Sequence, residues 1–194
     1  MSGASLIALG GSLRLDSFNH RLVEIAAEGA REAGAKVNVL RLRDLDLPIY
    51  DADFEDRHGL PPDAKALKAT FAAADGMLVA SPEYNGSVSA ALKNAIDWIS
   101  RPEGEETIAS LVAFRGKVGG VMSASIGPWG GIRGLAHIRQ ILSGLFVTVI
   151  GEQLAIPMAQ DAFEGTELKN QAQGRFIRDI GRRTALLAAT ARTL

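Results

Sequence analysis

The chain has 194 residues with 47% apolar content, enough to close a sizeable core, and its length sits near the upper end of one compact unit, so a single domain over 1–194 is expected. Its net charge of −1, with both signs interspersed, provides no basic stripe for a phosphate backbone, and no nucleic-acid partner is expected. Cysteine is absent, which excludes disulfides, thiolate nucleophiles and Cys-ligated metal centres, so any redox chemistry must come from a bound cofactor. The N-terminal stretch lacks the charged and apolar regions of a secretory signal, and no window approaches the ~18 consecutive apolar residues of a spanning helix. A cytoplasmic protein with no membrane partner is the expectation.

In chain order, apolar runs of strand length fall at 5–10, 37–42, 76–81, 118–124 and 145–151. Most run apolar without alternation, as strands covered on both faces do, whereas 37–42 alternates and is expected at a sheet edge. Between them lie helical patterns. Leu22, Ile25, Ala26, Gly29, Ala30 and Ala33 form one face of the first. Segment 62–74 follows, then 89–100 with Leu92, Ala95, Ile96 and Ile99, then 131–143. A last helix carries Phe176, Ile177, Ile180, Thr184, Leu187 and Ala188. The acidic stretch 51–56, between Pro48 and Pro61, reads as a solvated loop. Strand and helix alternate throughout, which predicts an α/β, doubly wound three-layer sandwich on a five-stranded parallel sheet. Ligands of such sheets bind beyond the carboxyl ends of the strands, where strand order reverses.

The loop after the first strand, GGSLRLDSFNH (10–20), opens a helix, and free amides at a helix N-terminus form an anion site. Ser12, Ser17 and Asn19 add side-chain donors, and Arg14 adds a fork-shaped charge suited to phosphate oxygens. The same residue types also serve as a glycine turn and a helix cap. Neither GxxxxGK[ST] nor GxGxxG is present. After the third strand, SPEYNGS ends the strand at Pro82, offers Tyr84 and its neighbours Glu83 and Asn85 to a planar ring, and turns at Asn85-Gly86. A surface turn with a packing tyrosine is the alternative. After the fourth strand, SASIGPWGG lets backbone amides approach a ligand closely, with Trp129 as either a site wall or an interface residue. His20, His58 and His137 lack metal-ligand spacing, and no metal site is expected.

Taken together, GSLRLDSFN, SPEYNGSVSAALKNAIDWISRP and SASIGPWGG resemble the NAD(P)H-dependent FMN reductase family, which has the flavodoxin-like fold and includes quinone, chromate and azo reductases. The resemblance spans most of the chain, including LDLPIYDADFE beyond the second strand. It implies that Ser12, Arg14, Ser17, Phe18 and Asn19 hold the FMN phosphate. Pro82, Glu83, Tyr84, Asn85 and Gly86 would border the ring, with Ser123 near its other edge. No side chain is required as acid or base. The implied activity is hydride transfer from NADPH or NADH through FMN to a small acceptor such as a quinone, a flavin, an azo compound or chromate. The rivals are a flavodoxin-like electron carrier serving a protein partner and a flavin-free interaction domain. Arg14 and the near-neutral charge favour the reductase. Arg41, Arg43, Arg101, Arg115 and Arg133 are all conceivable partners for a nucleotide 2′-phosphate. Relatives form dimers and tetramers, so a homodimer or homotetramer is expected, with Trp98 to Pro102 as the contact.

Overall fold

The computed structural model describes residues 3–191. Strand β1 (Ser5–Gly10) leads into α1 (Phe18–Glu32), and β2 (Lys36–Arg41) follows and turns through a short 3-10 segment. Helices α2 (Ala52–His58) and α3 (Pro62–Ala72) precede β3 (Gly76–Ala80) and α4 (Ala90–Ile99). Then come β4 (Val118–Ala124), α5 (Ile132–Gly144) and β5 (Thr148–Ile156). A single helical turn, α6 (Ala159–Ala162), and the small hairpin of β6 (Phe163–Glu164) and β7 (Glu167–Leu168) lead to α7 (Gln171–Ala191). The five long strands form a parallel sheet in the order β2-β1-β3-β4-β5. This is the expected five-stranded, doubly wound sandwich, with the alternating strand β2 at an edge.

The central strands β3 and β4 are buried along their whole length, which explains their unbroken apolar sequence. On one face Leu6, Ala8, Leu78 and Met122 pack against Leu22, Ile25 and Ala26 of α1 and Ile177 and Ile180 of α7. On the other, Ile7, Leu9, Val79 and Val121 meet Leu67, Leu92, Ile96, Leu135 and Ile138 of α3, α4 and α5.

Four expectations are corrected. The last strand begins at Thr148, because Phe146 takes a left-handed conformation (φ 63°) and closes the turn after α5; the strand then runs on to Ile156 across an irregularity in its pairing with β4. Segment 51–56 is helical rather than an open loop, since Asp51 caps the amides of Asp53 and Phe54 and starts α2. In α7, Phe176 and Leu187 are exposed, and the packed face instead uses Gly181 and Ala185 beside Ile177, Ile180, Thr184 and Ala188.

The fourth correction concerns the supposed contact surface. Trp98 is fully buried, and its indole N–H donates to the Pro48 carbonyl at 2.6 Å. Its ring meets Tyr50 and Phe54 edge-on at 5.1 and 6.1 Å. Arg101 donates from Nε to both oxygens of Glu55 at 3.0 and 2.8 Å, and Tyr50 donates to the same carboxylate at 2.9 Å. Asn94 completes the arrangement, accepting from the Tyr50 amide at 2.8 Å and donating to Pro48 O at 2.9 Å. Trp98 and Arg101 therefore strap segment 46–58 onto α4, and Trp98 has no exposed surface to offer another subunit.

Candidate cofactor site

The reversal of strand order between β1 and β3 leaves a crevice at their carboxyl ends. Three loops meet there, after β1, β3 and β4.

In the first, Ser17 caps α1 by accepting from the His20 amide at 3.2 Å, and Ser12 accepts from the Arg14 amide at 3.2 Å. Ser17 is thus the helix cap, whereas Asn19 is not, and the cap leaves donors over. The amides of Leu15, Asp16, Ser17, Phe18 and Asn19 have no acceptor among the described residues. The Arg14 side chain is exposed and has no hydrogen bond or ion pair among them. The one acidic group in the loop, Asp16, is paired with Arg21, whose guanidinium lies over the rings of Phe18 and Phe163 at 5.5 and 5.9 Å. A positively polarised helix end, unspent amides and a free arginine fit a dianionic phosphate.

The side chains of two residues expected at the phosphate are committed elsewhere. The Phe18 ring stacks on Phe163 at 5.5 Å, so only its backbone amide remains to a ligand. The Asn19 carboxamide is committed to Ala124, donating to its carbonyl at 2.8 Å and accepting from its amide at 2.9 Å.

In the second loop the Tyr84 amide donates to Ser87 O at 2.9 Å, and the Ser87 amide donates to Tyr84 O at 3.0 Å. Asn85 (φ 51°) and Gly86 (φ 79°) complete a two-residue turn whose left-handed positions suit this residue pair. The turn holds Tyr84 half exposed at the crevice. Pro82 ends β3. The Glu83 carboxylate is committed within the protein: it accepts from the amides of Arg133 and Gly134 at 3.0 and 3.1 Å and from the Arg133 guanidinium, tying this loop to the start of α5. Burial acts to raise the Glu83 carboxyl, but the Arg133 hydrogen bond and the backbone donors outweigh it and hold it below the ordinary carboxylate range.

At the end of β4, before the third loop, Ser123 is buried and its hydroxyl donates to Ser81 O at 2.7 Å, so its side chain braces β3 against β4. Gly131, at φ 95°, lies against this hydroxyl, and a Cβ there would overlap it. That close approach is one reason for the glycine-rich sequence. Trp129 is 67% exposed at the rim.

Residues beyond the expected set join these loops. The Ser89 hydroxyl donates to Gly11 O, and the Ser89 amide donates to the Ser81 hydroxyl at 3.2 Å. Ser81, Ser89 and Arg133 thus belong to the frame of the site, and since each bridges distant segments no local motif announces it. Of the arginines considered for a nucleotide phosphate, Arg101 and Arg133 are tied to Glu55 and Glu83. Arg115 lies at the opposite end of the sheet, over Phe146 at 3.9 Å. Arg43 sits 3.9 Å from Asp44, and the Arg41 side chain has no hydrogen bond or ion pair among the described residues.

The family model for NADPH-dependent FMN reductase matches residues 4–161. A probable NADPH:quinone oxidoreductase 2 of Oryza sativa subsp. japonica is 39% identical over 142 residues, 73% of this chain but only 64% of the rice protein's length. An NAD(P)H-dependent FMN reductase of Pseudomonas aeruginosa is 34% identical over 178 residues, 91% of this chain and 86% of its own. A quinone reductase of Escherichia coli is 37% identical over 147 residues, covering 76% and 73%. In fold, the chain superposes on the flavoenzyme FerB, an NAD(P)H:(acceptor) oxidoreductase of Paracoccus denitrificans, with TM-score 0.79 and 24% identity over 96% of this chain and 98% of that one. The chain belongs to the NADPH-dependent FMN reductase family, with FMN as its cofactor and NAD(P)H as its electron donor.

Proposed function

We propose that the protein reduces small acceptors, quinones first among them and then flavins, azo compounds or chromate, at the expense of NADH or NADPH, with FMN seated across the three loops. The observation that carries this is the donor set at the start of α1: unspent amides at 15–19 beside the free Arg14, on the same sheet end as the Tyr84 turn. FMN supplies the two-electron chemistry. The chain's residues position it. Arg14, the Ser12 and Ser17 hydroxyls and the loop amides bind the phosphate, while Pro82, Tyr84, Asn85 and Gly86 border the ring, with Ser123 fixing the strand spacing beneath. The Phe18 ring and the Asn19 and Glu83 side chains act through packing and bracing.

An apolar groove of about 480 Å³ beside the phosphate loop, lined by Leu13, Leu45, Leu47, Ile49, Tyr50 and Ala91, supports an aromatic or apolar acceptor over a protein partner. Near-neutral charge and Arg14 weigh against the electron carrier. The apolar side chains Leu13, Leu15, Ile49 and Trp129, exposed around the crevice, support assembly into a homodimer or homotetramer. Among the described residues no helix is long and apolar enough to cross a membrane, and a cytoplasmic setting is part of the same reading.

Steady-state kinetics with NAD(P)H and a small quinone test the proposal. Parallel double-reciprocal lines are expected, because nucleotide and acceptor use one open ring face in turn. Turnover only in the presence of an added electron-transfer protein would favour the carrier instead.

A further inference from the structure

We propose that the Asn19 carboxamide is a positioning group for the flavin ring and not a ligand of the phosphate, acting by standing in for a missing strand beside β4. This rests on the seating of FMN across the three loops. Strand β3 ends at Ala80, opposite Met122, and one further backbone bond, from the Ser81 amide to Met122 O, closes the ladder. Pro82 then turns the chain away and has no N–H to give.

Strand β4 continues to Ala124. In a parallel ladder alternate residues direct their N–H and C=O to the same neighbour, so Ala124, like Met122, addresses the β3 side, where no strand remains. The next residue confirms the alternation, since the Ser125 amide donates the other way, to Ile156 O at 3.1 Å on β5. Ala124 is 2% exposed, and an unpaired peptide there is costly. Asn19, from the first turn of α1 and itself 3% exposed, satisfies both groups with one carboxamide.

The consequence reaches the ring. The crevice lies at the carboxyl ends of β1 and β3, and the loop that borders it on the β4 side starts at Ser125, directly after the clamped peptide. The three loops are tied pairwise: Ser89 joins the β3 loop to Gly11, and Ser123 and Glu83 join the β3 and β4 loops. Among the described residues, the two Asn19–Ala124 bonds are the hydrogen bonds that join the β1 loop to the end of β4. Asn19 therefore sets the distance between the phosphate cradle and the ring wall.

The test titrates Asn19→Ala, and Asn19→Ser should the alanine variant not fold, with FMN and with riboflavin, and records the visible circular dichroism of the FMN-saturated protein. Both flavins are expected to weaken together, by about tenfold, as a freed buried peptide lets the ring wall drift. The dichroism of the bound ring changes with them. A loss confined to FMN, with riboflavin unaffected, would make Asn19 a phosphate ligand and overturn the proposal. A lower Tm with both affinities and the dichroism unchanged would make it a structural clamp alone, and overturn it equally. If the parent chain bound neither flavin, the cofactor site itself would be wrong and the proposal would fall with it.

Discussion

Replacing Arg14 with alanine removes a cation from the proposed phosphate loop and should leave the fold untouched, since that side chain is exposed and has no hydrogen bond or ion pair among the described residues. A charge-assisted contact to phosphate contributes about 1.5–3 kcal/mol where it is shielded. Solvent at an exposed position reduces that, and the amides of 15–19 remain in place to hold the phosphate. The expected loss in FMN affinity is therefore ten- to a hundredfold, near the lower figure at physiological salt and larger at low ionic strength. Riboflavin has no phosphate and should bind parent and variant alike. Quenching of flavin fluorescence by the apoprotein, titrated with each flavin at two salt concentrations, measures all four affinities. An unchanged FMN affinity, or an equal loss for riboflavin, would refute the phosphate role of Arg14.

The Tyr84 turn gives a kinetic expectation: Tyr84→Ala should slow reduction of bound flavin by NAD(P)H about tenfold even at saturating FMN, since a displaced ring loses alignment with the donor, while Tm stays within ~2 °C. Glu83→Gln keeps shape but loses the charge that two amides and Arg133 stabilise. The folded-state carboxyl lies below its unfolded value, so its stabilisation is full above the unfolded pKa of about 4.3 and is lost as pH falls through the lower folded value. With Arg133 largely exposed the effect is modest, roughly 1 kcal/mol or 2–4 °C in Tm at pH 7, and the gap between parent and variant should close in acid. Trp98→Ala, by emptying a fully buried site, is expected to cost about 3–5 kcal/mol and to release 46–58 to limited proteolysis. Light scattering at micromolar concentration should give a dimer or tetramer mass; a monomer would reject the assembly.

Elements whose causes are local were legible. The apolar runs of β1, β3 and β4 record burial on both faces, and Asn85-Gly86 marks a turn with left-handed positions that few other pairs tolerate. Ser17 and Ser89 were readable as helix starts for the same reason. What escaped was tertiary pairing. Asn19 has a residue type suited to phosphate, and only a partner 105 positions away commits it elsewhere. Glu83 is spent on a helix start 50 positions on, and Trp98, at the end of an amphipathic helix, is covered by a segment whose helix depends on an Asp51 cap inside an acidic run. Sequence spacing carries the period of an element but not the identity of the group that will meet a polar side chain across the fold.

The proposed activity requires FMN to be held at the carboxyl ends of β1, β3 and β4 and reduced there by a nicotinamide nucleotide. The most direct measurement is anaerobic stopped-flow mixing of the FMN-loaded protein with NADH and, separately, with NADPH, followed in the visible flavin band. Loss of that absorbance within seconds with at least one nucleotide, slowed in Tyr84→Ala, is the predicted result. Absorbance that persists for minutes with both would contradict it.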